Sequence, residues 1–111
     1  MNGRQILRHY QKGKRNFSRT RLKNASLHGA DLRKIDLSWA NLHGADLSET
    51  DVRGANLRGS DLRRADLTET NLEDADLRGA NLFKAVVEQH QLDQAKYLEH
   101  VILPDGTRYG Q

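Results

Sequence analysis

The chain of 111 residues has no cysteine, which excludes disulfides, zinc–thiolate sites and thiol chemistry. It has a single proline, Pro104, so nothing upstream removes a backbone donor. Aromatic residues make up 5% and hydrophobic residues 36% of the chain, with a mean hydropathy of -0.83. Globular domains are about half apolar, so a conventional two-layer core would be thin here. Long apolar runs are missing too. The longest are Leu82-Phe83 with Ala85-Val87, and Val101-Leu103. A membrane span needs roughly 18 residues and a signal-peptide core roughly 7–15, so the expectation is a cytoplasmic protein. Charge of one sign is also weak. Eighteen cations face fifteen acids for a net +3, a balance that keeps the chain soluble without arguing for nucleic acid. The length suits one domain.

What the sequence does contain is a period of five. From Leu22 the chain steps through Leu27, Leu32, Leu37, Leu42, Leu47, Val52, Leu57, Leu62, Leu67, Leu72, Leu77 and Leu82. Phe17 extends the series forward, and Val87, Leu92 and Tyr97 extend it back, giving 17 centres of which 13 are Leu. Each centre is called position i. Position i−2 is Ala, Ser or Thr from Ala25 to Ala85, with the one exception of Ile35, and i−1 is Asp or Asn without a break from Asp31 to Asn81. The glycines of this region all fall at i+2.

A period of five excludes both regular elements. On an α-helix five residues turn about 500°, so the leucines would scatter around the axis. On a strand five is odd, so successive leucines would face opposite ways. The chain must instead turn after every repeat, keeping i and i−2 inward. Glycine at i+2 marks the corner, and Asp or Asn at i−1 can accept nearby backbone N–H groups there.

This A-(D/N)-L-x-x pattern, clear in the stretches before Asp46 and Asn81, resembles the pentapeptide-repeat family over residues 15 to 97. The resemblance implies an all-β solenoid, a right-handed quadrilateral β-helix with four repeats per coil and about four coils. At a strand spacing of ~4.8 Å these coils would form a rod about 20 Å long. Residues 1–14 are expected to hold an N-terminal capping helix and lead-in, with Ile6, Leu7 and Tyr10 at helical spacing and Gly13 as C-cap. Residues 98–111 read as an irregular C-terminal cap. Toward that end the code decays: Val86 replaces the i−1 acid, His90 the small i−2 residue, and Val101-Ile102-Leu103 fits only with a one-residue slip. The apolar residues of this end either seal the core, which is the expected outcome, or form a surface for an end-to-end dimer.

No constellation for chemistry emerges. A leucine-filled axis offers no pocket, no histidine pair has metal-ligand spacing, and the serines have no evident base. Catalytic, metal and cofactor sites are all expected to be absent. The outer surface remains. With 20 residues per coil, one face carries Trp39, Arg58 and Arg78, and the next Lys23, Arg63, Arg64, Phe83 and Lys84. The third carries Glu49, Glu69 and Glu88, while the fourth begins with Arg33, Lys34 and Arg53 and ends with Glu73, Asp74 and Asp93. Stacked Arg53 and Glu73 should attract. Aromatic residues beside arginine are the composition of interaction hot spots. The candidate contact surface is therefore Trp39, Arg58, Arg63, Arg64, Arg78, Phe83 and Lys84, serving a binding or scaffold protein whose partner is a protein, without membrane or nucleic acid. The resemblance adds an alternative, a DNA-mimic regulator of a topoisomerase, since some relatives resemble B-DNA. The basic faces add another, weak nucleic-acid binding.

Overall fold

The computed structural model describes residues 1–110. Backbone pairing repeats at the expected interval. Asn16 pairs in parallel with Asp36, Asp36 with Asn56 and Asn56 with Asp76, and the other three sides carry the same 20-residue offset. Each coil is thus four repeats. The pairing touches one residue per repeat, so short bridges, not extended strands, line the four sides.

A count of backbone donors explains the repeat. The N–H at i donates to the following coil, as Leu37 does to the Asn56 carbonyl at 2.8 Å. At i+2 it does the same, as Trp39 does to Arg58. At i−1 it donates to the preceding coil, as Asn56 does to Ile35. At i−2 it closes a turn onto the previous centre, as Ala40 does onto Leu37. Only the i+1 N–H has no backbone acceptor. The i−1 side chain supplies one: Arg58 N–H donates to Asn56 Oδ1 and Arg63 N–H to Asp61 Oδ1, both at 3.1 Å. This bond recurs in every repeat from Asp31 to Asn81. It is the reason that position is Asp or Asn, because an unpaired N–H there would be costly.

The corner itself has a positive φ at i+2 in every repeat from Arg19 to Lys84, the signature of a type II turn. Glycine occupies only some of these corners. Arg19, Asn24, Lys34, Trp39, Glu49, Arg64, Glu69, Asp74 and Lys84 all adopt the left-handed conformation with a side chain, at roughly 1 kcal/mol each.

The centres fill the axis. Every centre from Phe17 to Leu82 is buried, as is Ile35, the one oversized i−2 residue. Truncating such a leucine to alanine should cost about 2–5 kcal/mol. The buried hydroxyls are satisfied: Thr50 donates to Leu47 and Ser60 to Leu57.

Both ends are covered. Helix α1 (Gly3–Gln11) begins with a reciprocal cap, Asn2 Oδ1 accepting from Gln5 N–H and Gln5 Oε1 from Asn2 N–H, both at 2.9 Å. It buries Ile6 and lies on the first coil with Gly3 against the Ser26 carbonyl, where a Cβ would not fit. Tyr10 ties it down by donating to the Arg33 carbonyl. Lys12 is the C-cap, and Gly13, at φ 100°, follows it. At the far end a helical turn α2 (Gln89–Leu92) replaces the fourth-side repeat. It inserts one residue, so pairing resumes at Asp76 with Tyr97 and Asn81 with Ile102. The slip foreseen for Val101–Leu103 therefore begins earlier, and Tyr97 is not a centre. It is 37% exposed at an i−1 position, and Leu98 takes the place facing the axis. Leu92 and Val101 are buried, and residues 107–109 fold back antiparallel on 101–103. With these caps the long dimension is 40 Å, about twice the length expected for the coils alone.

Candidate interaction surface

The candidate residues gather as the 20-residue coil requires, but the structure divides them. Arg63 and Arg78 are held by their own repeats. Arg63 donates through Nε and Nη2 to Asp61, and Arg78 does the same to Asp76, with Nη2 to Oδ2 distances of 2.8 and 2.6 Å. Arg33 and Arg53 make the same fork with Asp31 and Asp51. Arg53 therefore turns to Asp51 and makes no close ion pair with Glu73, although the Glu73 charge still acts favourably on its guanidinium, as the stacking expectation required. The forks hold the carboxyls below their ordinary value of 3.8. In Asp31, Asp51 and Asp61 the arginine bond is the main cause, whereas in Asp76 burial is the largest influence and Arg78 overrides it.

Where i+1 is not arginine, an i−1 Asp still meets a donor. Ser38, Ser48 and Thr68 donate their hydroxyls to Asp36, Asp46 and Asp66. Arg58 follows Asn56 instead, and it has no carboxylate partner among the described residues; nor do Arg64 and Lys84.

Trp39 is 58% exposed, but it does not stand free. Its ring lies on Gly59, one coil along, where any Cβ would collide with it, and Arg19 approaches from the other side at 5.9 Å from the ring centroid. Phe83 is 38% exposed and packs near Gly106 of the C-terminal turn.

One serine does meet a histidine, though not as its base. His28 Nδ1 is 2.7 Å from Ser48 Oγ, and His28 Nε2 is 3.4 Å from Glu49. Ser48 Oγ also lies 2.5 Å from Asp46 Oδ1, a contact that requires the hydroxyl proton between them. His28 Nδ1 is then the donor to Ser48, so this arrangement braces the third side instead of activating a nucleophile. The open clefts lie elsewhere. One of about 600 Å³ is lined by Arg4, Leu7 and Lys23 between α1 and the first coil.

A family model described as pentapeptide repeats, in eight copies, matches residues 20–59 and 60–96. The chain belongs to the pentapeptide-repeat family. No curated protein matches it. Among solved structures, a pentapeptide-repeat protein from the thylakoid lumen of Arabidopsis thaliana aligns at TM-score 0.71 and 25% identity, over 86% of this chain and 66% of that one. A pentapeptide-repeat protein from Nostoc PCC 7120 is 41% identical over 92% of this chain and 75% of its own, at TM-score 0.44. Another from the same cyanobacterium, involved in heterocyst differentiation regulation, is 26% identical over 85% of this chain and 60% of its own, at TM-score 0.48. The pentapeptide-repeat chain therefore spans about two thirds of the length of the first of these.

Proposed function

We propose that this pentapeptide-repeat protein is a non-catalytic binding or scaffold protein, a right-handed quadrilateral β-helix that engages a protein partner along the corner between its first two sides. The observation that carries the reading is Trp39. A large aromatic ring is held flat and exposed on Gly59, while Arg58, Arg64 and Lys84 on the adjoining corners keep their charges unpaired. An exposed indole fixed in one orientation beside unpaired cations has little ordering entropy left to lose on binding. Arg63 and Arg78 contribute planar, pre-oriented rims to the same surface. The leucine-filled axis leaves the outside as the working part of the molecule.

Affinity capture from source cells with the wild type and a Trp39→Ala, Arg58→Glu double variant tests this. Loss of one or more specific partners supports the surface; identical partner profiles overturn it. DNA mimicry fits less well. The seven Asp residues at i−1 are already committed to bonds within their repeats, and the third side alone is uniformly acidic. A supercoiling assay unaffected by micromolar protein would remove that alternative.

A further inference from the structure

The net charge of +3 conceals a division along the rod. The first 30 residues hold eight of the eighteen cations and none of the fifteen acids, so this segment carries +8 and the rest of the chain −5. In the structure that segment is α1 and most of the first coil. Arg4, Arg8 and Lys12 occupy successive turns on the outer side of α1, opposite buried Gly3 and Ile6. Lys14 and Arg15 follow in the lead-in, and Arg19, Arg21 and Lys23 project from the first two sides of the coil. All eight are exposed, and none pairs with a carboxylate among the described residues.

We infer that this end of the rod binds the phosphate backbone of a nucleic acid without regard to sequence. The cations are distributed over α1, the lead-in and the first two sides of the first coil. Arg4 and Lys23 both line the open cleft between α1 and the coil. At the other end of the helix, Arg15 stacks 3.7 Å from the centroid of the Tyr10 ring and donates to the Tyr10 carbonyl. No carboxylate offsets the mutual repulsion, although Arg15 and Lys14 lie over the Tyr10 and Phe17 rings and Arg8 sits in the last turn, where the helix dipole favours it. Arg4 and Arg8 are like charges four apart on α1, Arg8 is four before the C-cap Lys12, and Arg4 sits in a first turn that has no acid to complement the helix dipole. These contacts leave the like charges without a counter-charge, which a polyanion supplies while releasing its own counterions on binding.

A bilayer fits this group poorly. The apolar side of α1 is used against the coil, Met1 is the one large exposed hydrophobic of the region, and the cations wrap around a corner instead of lying in a plane. An acidic protein surface normally intersperses cations among its carboxylates, whereas these eight cations have no acid in their own segment, and the neighbouring Asp31, which lines a cleft with Arg15, is already held by Arg33; such a group matches a uniformly anionic polymer. The inference stands apart from the Trp39 surface, and either can fail without the other.

Fluorescence anisotropy with labelled oligonucleotides of about 20 nucleotides, single-stranded and duplex, tests it on the full chain. If about four phosphates are contacted, the logarithm of the binding constant should fall with the logarithm of salt with a slope of about −3. The Arg4→Glu, Arg8→Glu, Lys12→Glu variant should weaken binding more than about tenfold at low salt. A Lys34→Glu, Lys96→Glu, Arg108→Glu variant of equal net charge should change it much less. The milder Arg4→Gln, Arg8→Gln, Lys12→Gln variant, with circular dichroism of each protein, separates lost binding from lost folding. Equal losses in the two charge-reversed variants, a flat salt dependence, or no binding at micromolar protein would overturn the inference. So would tighter binding to phosphatidylserine vesicles than to either oligonucleotide, or an anisotropy change that light scattering traces to self-association.

Discussion

Gly59 and Gly79 occupy the same corner one coil apart, with φ of 63° and 71°, yet they differ in what lies above them. A Cβ at Gly79 would meet only the Gly59 backbone, at 3.8 and 3.9 Å, whereas a Cβ at Gly59 would enter the Trp39 ring. Gly79→Ala should therefore cost only the left-handed backbone term, about 1 kcal/mol. Gly59→Ala carries that term plus an overpacking cost of about 1–3 kcal/mol as the indole is forced off its seat. At roughly 4 °C per kcal/mol for a domain of this size, the two variants should differ in melting temperature by about 4–12 °C. Urea unfolding followed by circular dichroism measures both. The decisive comparison repeats them in a Trp39→Ala background, where the difference should vanish because alanine cannot reach across the coil. The coupling between positions 39 and 59 should be about 1–3 kcal/mol. Equal costs for the two glycines in the wild-type background would refute the packing argument, and so would a difference that survives removal of the ring.

Asp76→Ala leaves the Arg78 N–H without an acceptor and should destabilise the protein by about 1–2 kcal/mol, whereas Asp76→Asn keeps that acceptor and loses only the fork, for under about 1 kcal/mol; denaturant midpoints separate them. Asp31, Asp46, Asp51, Asp61 and Asp76 all titrate below their ordinary 3.8 in the folded protein, so their contribution is complete well above that value and is lost as pH falls through and below it; stability at fixed ionic strength should drop from about pH 5 downward, and a flat profile would contradict the bonding scheme. Gln91→Leu should cost about 2 kcal/mol by urea titration, because the buried amide donates to the Leu67 and Thr70 carbonyls and accepts the Glu88 N–H that Val86 cannot serve.

The coil was legible because one number, five, is incompatible with every regular element, and the burial of i and i−2 follows from it. The one-residue slip at Val101–Leu103 was legible for the same reason. Helix α2 was not, because the signal there is a loss of code: His90 is too large for an axis position and Val86 cannot accept an N–H. The device that replaces them, the side chain of Gln91, looks like any other polar residue in the sequence. The left-handed corners were only half legible. Glycine marks five of them, but Trp39 or Glu69 at the same position carries no local sign of strain, since the ladder on either side imposes it. The seat of Trp39 was written in the sequence as an aromatic residue twenty places before a glycine, and the His28–Ser48 contact as another pair twenty apart.

The charge map was the least legible part of the surface, because formal charge does not tell which residues remain available. Wherever i−1 is Asp, i+1 is Arg, Ser or Thr and its side chain turns back to the carboxylate. Wherever i−1 is Asn between Asn41 and Asn81, i+1 is His43, Arg58, Glu73 or Phe83, none of which bonds to it through its side chain. Asparagine thus serves the backbone as well as aspartate does while leaving the next outward side chain uncommitted, and two of the four released side chains, Arg58 and Phe83, lie on the candidate surface. Asn56→Asp should accordingly draw Arg58 into the fork already made by Arg53, Arg63 and Arg78 and withdraw it from the surface without altering Arg58 itself. Stability should rise by less than about 1 kcal/mol. The arginine Nε–H resonance of Arg58 should become protected from solvent exchange to the degree seen for Arg63, and capture of any partner that depends on Arg58 should weaken. If Asn56→Asp leaves that resonance exchanging as fast as before, the i−1 residue does not govern the i+1 side chain, and the division between committed and available corners fails with it.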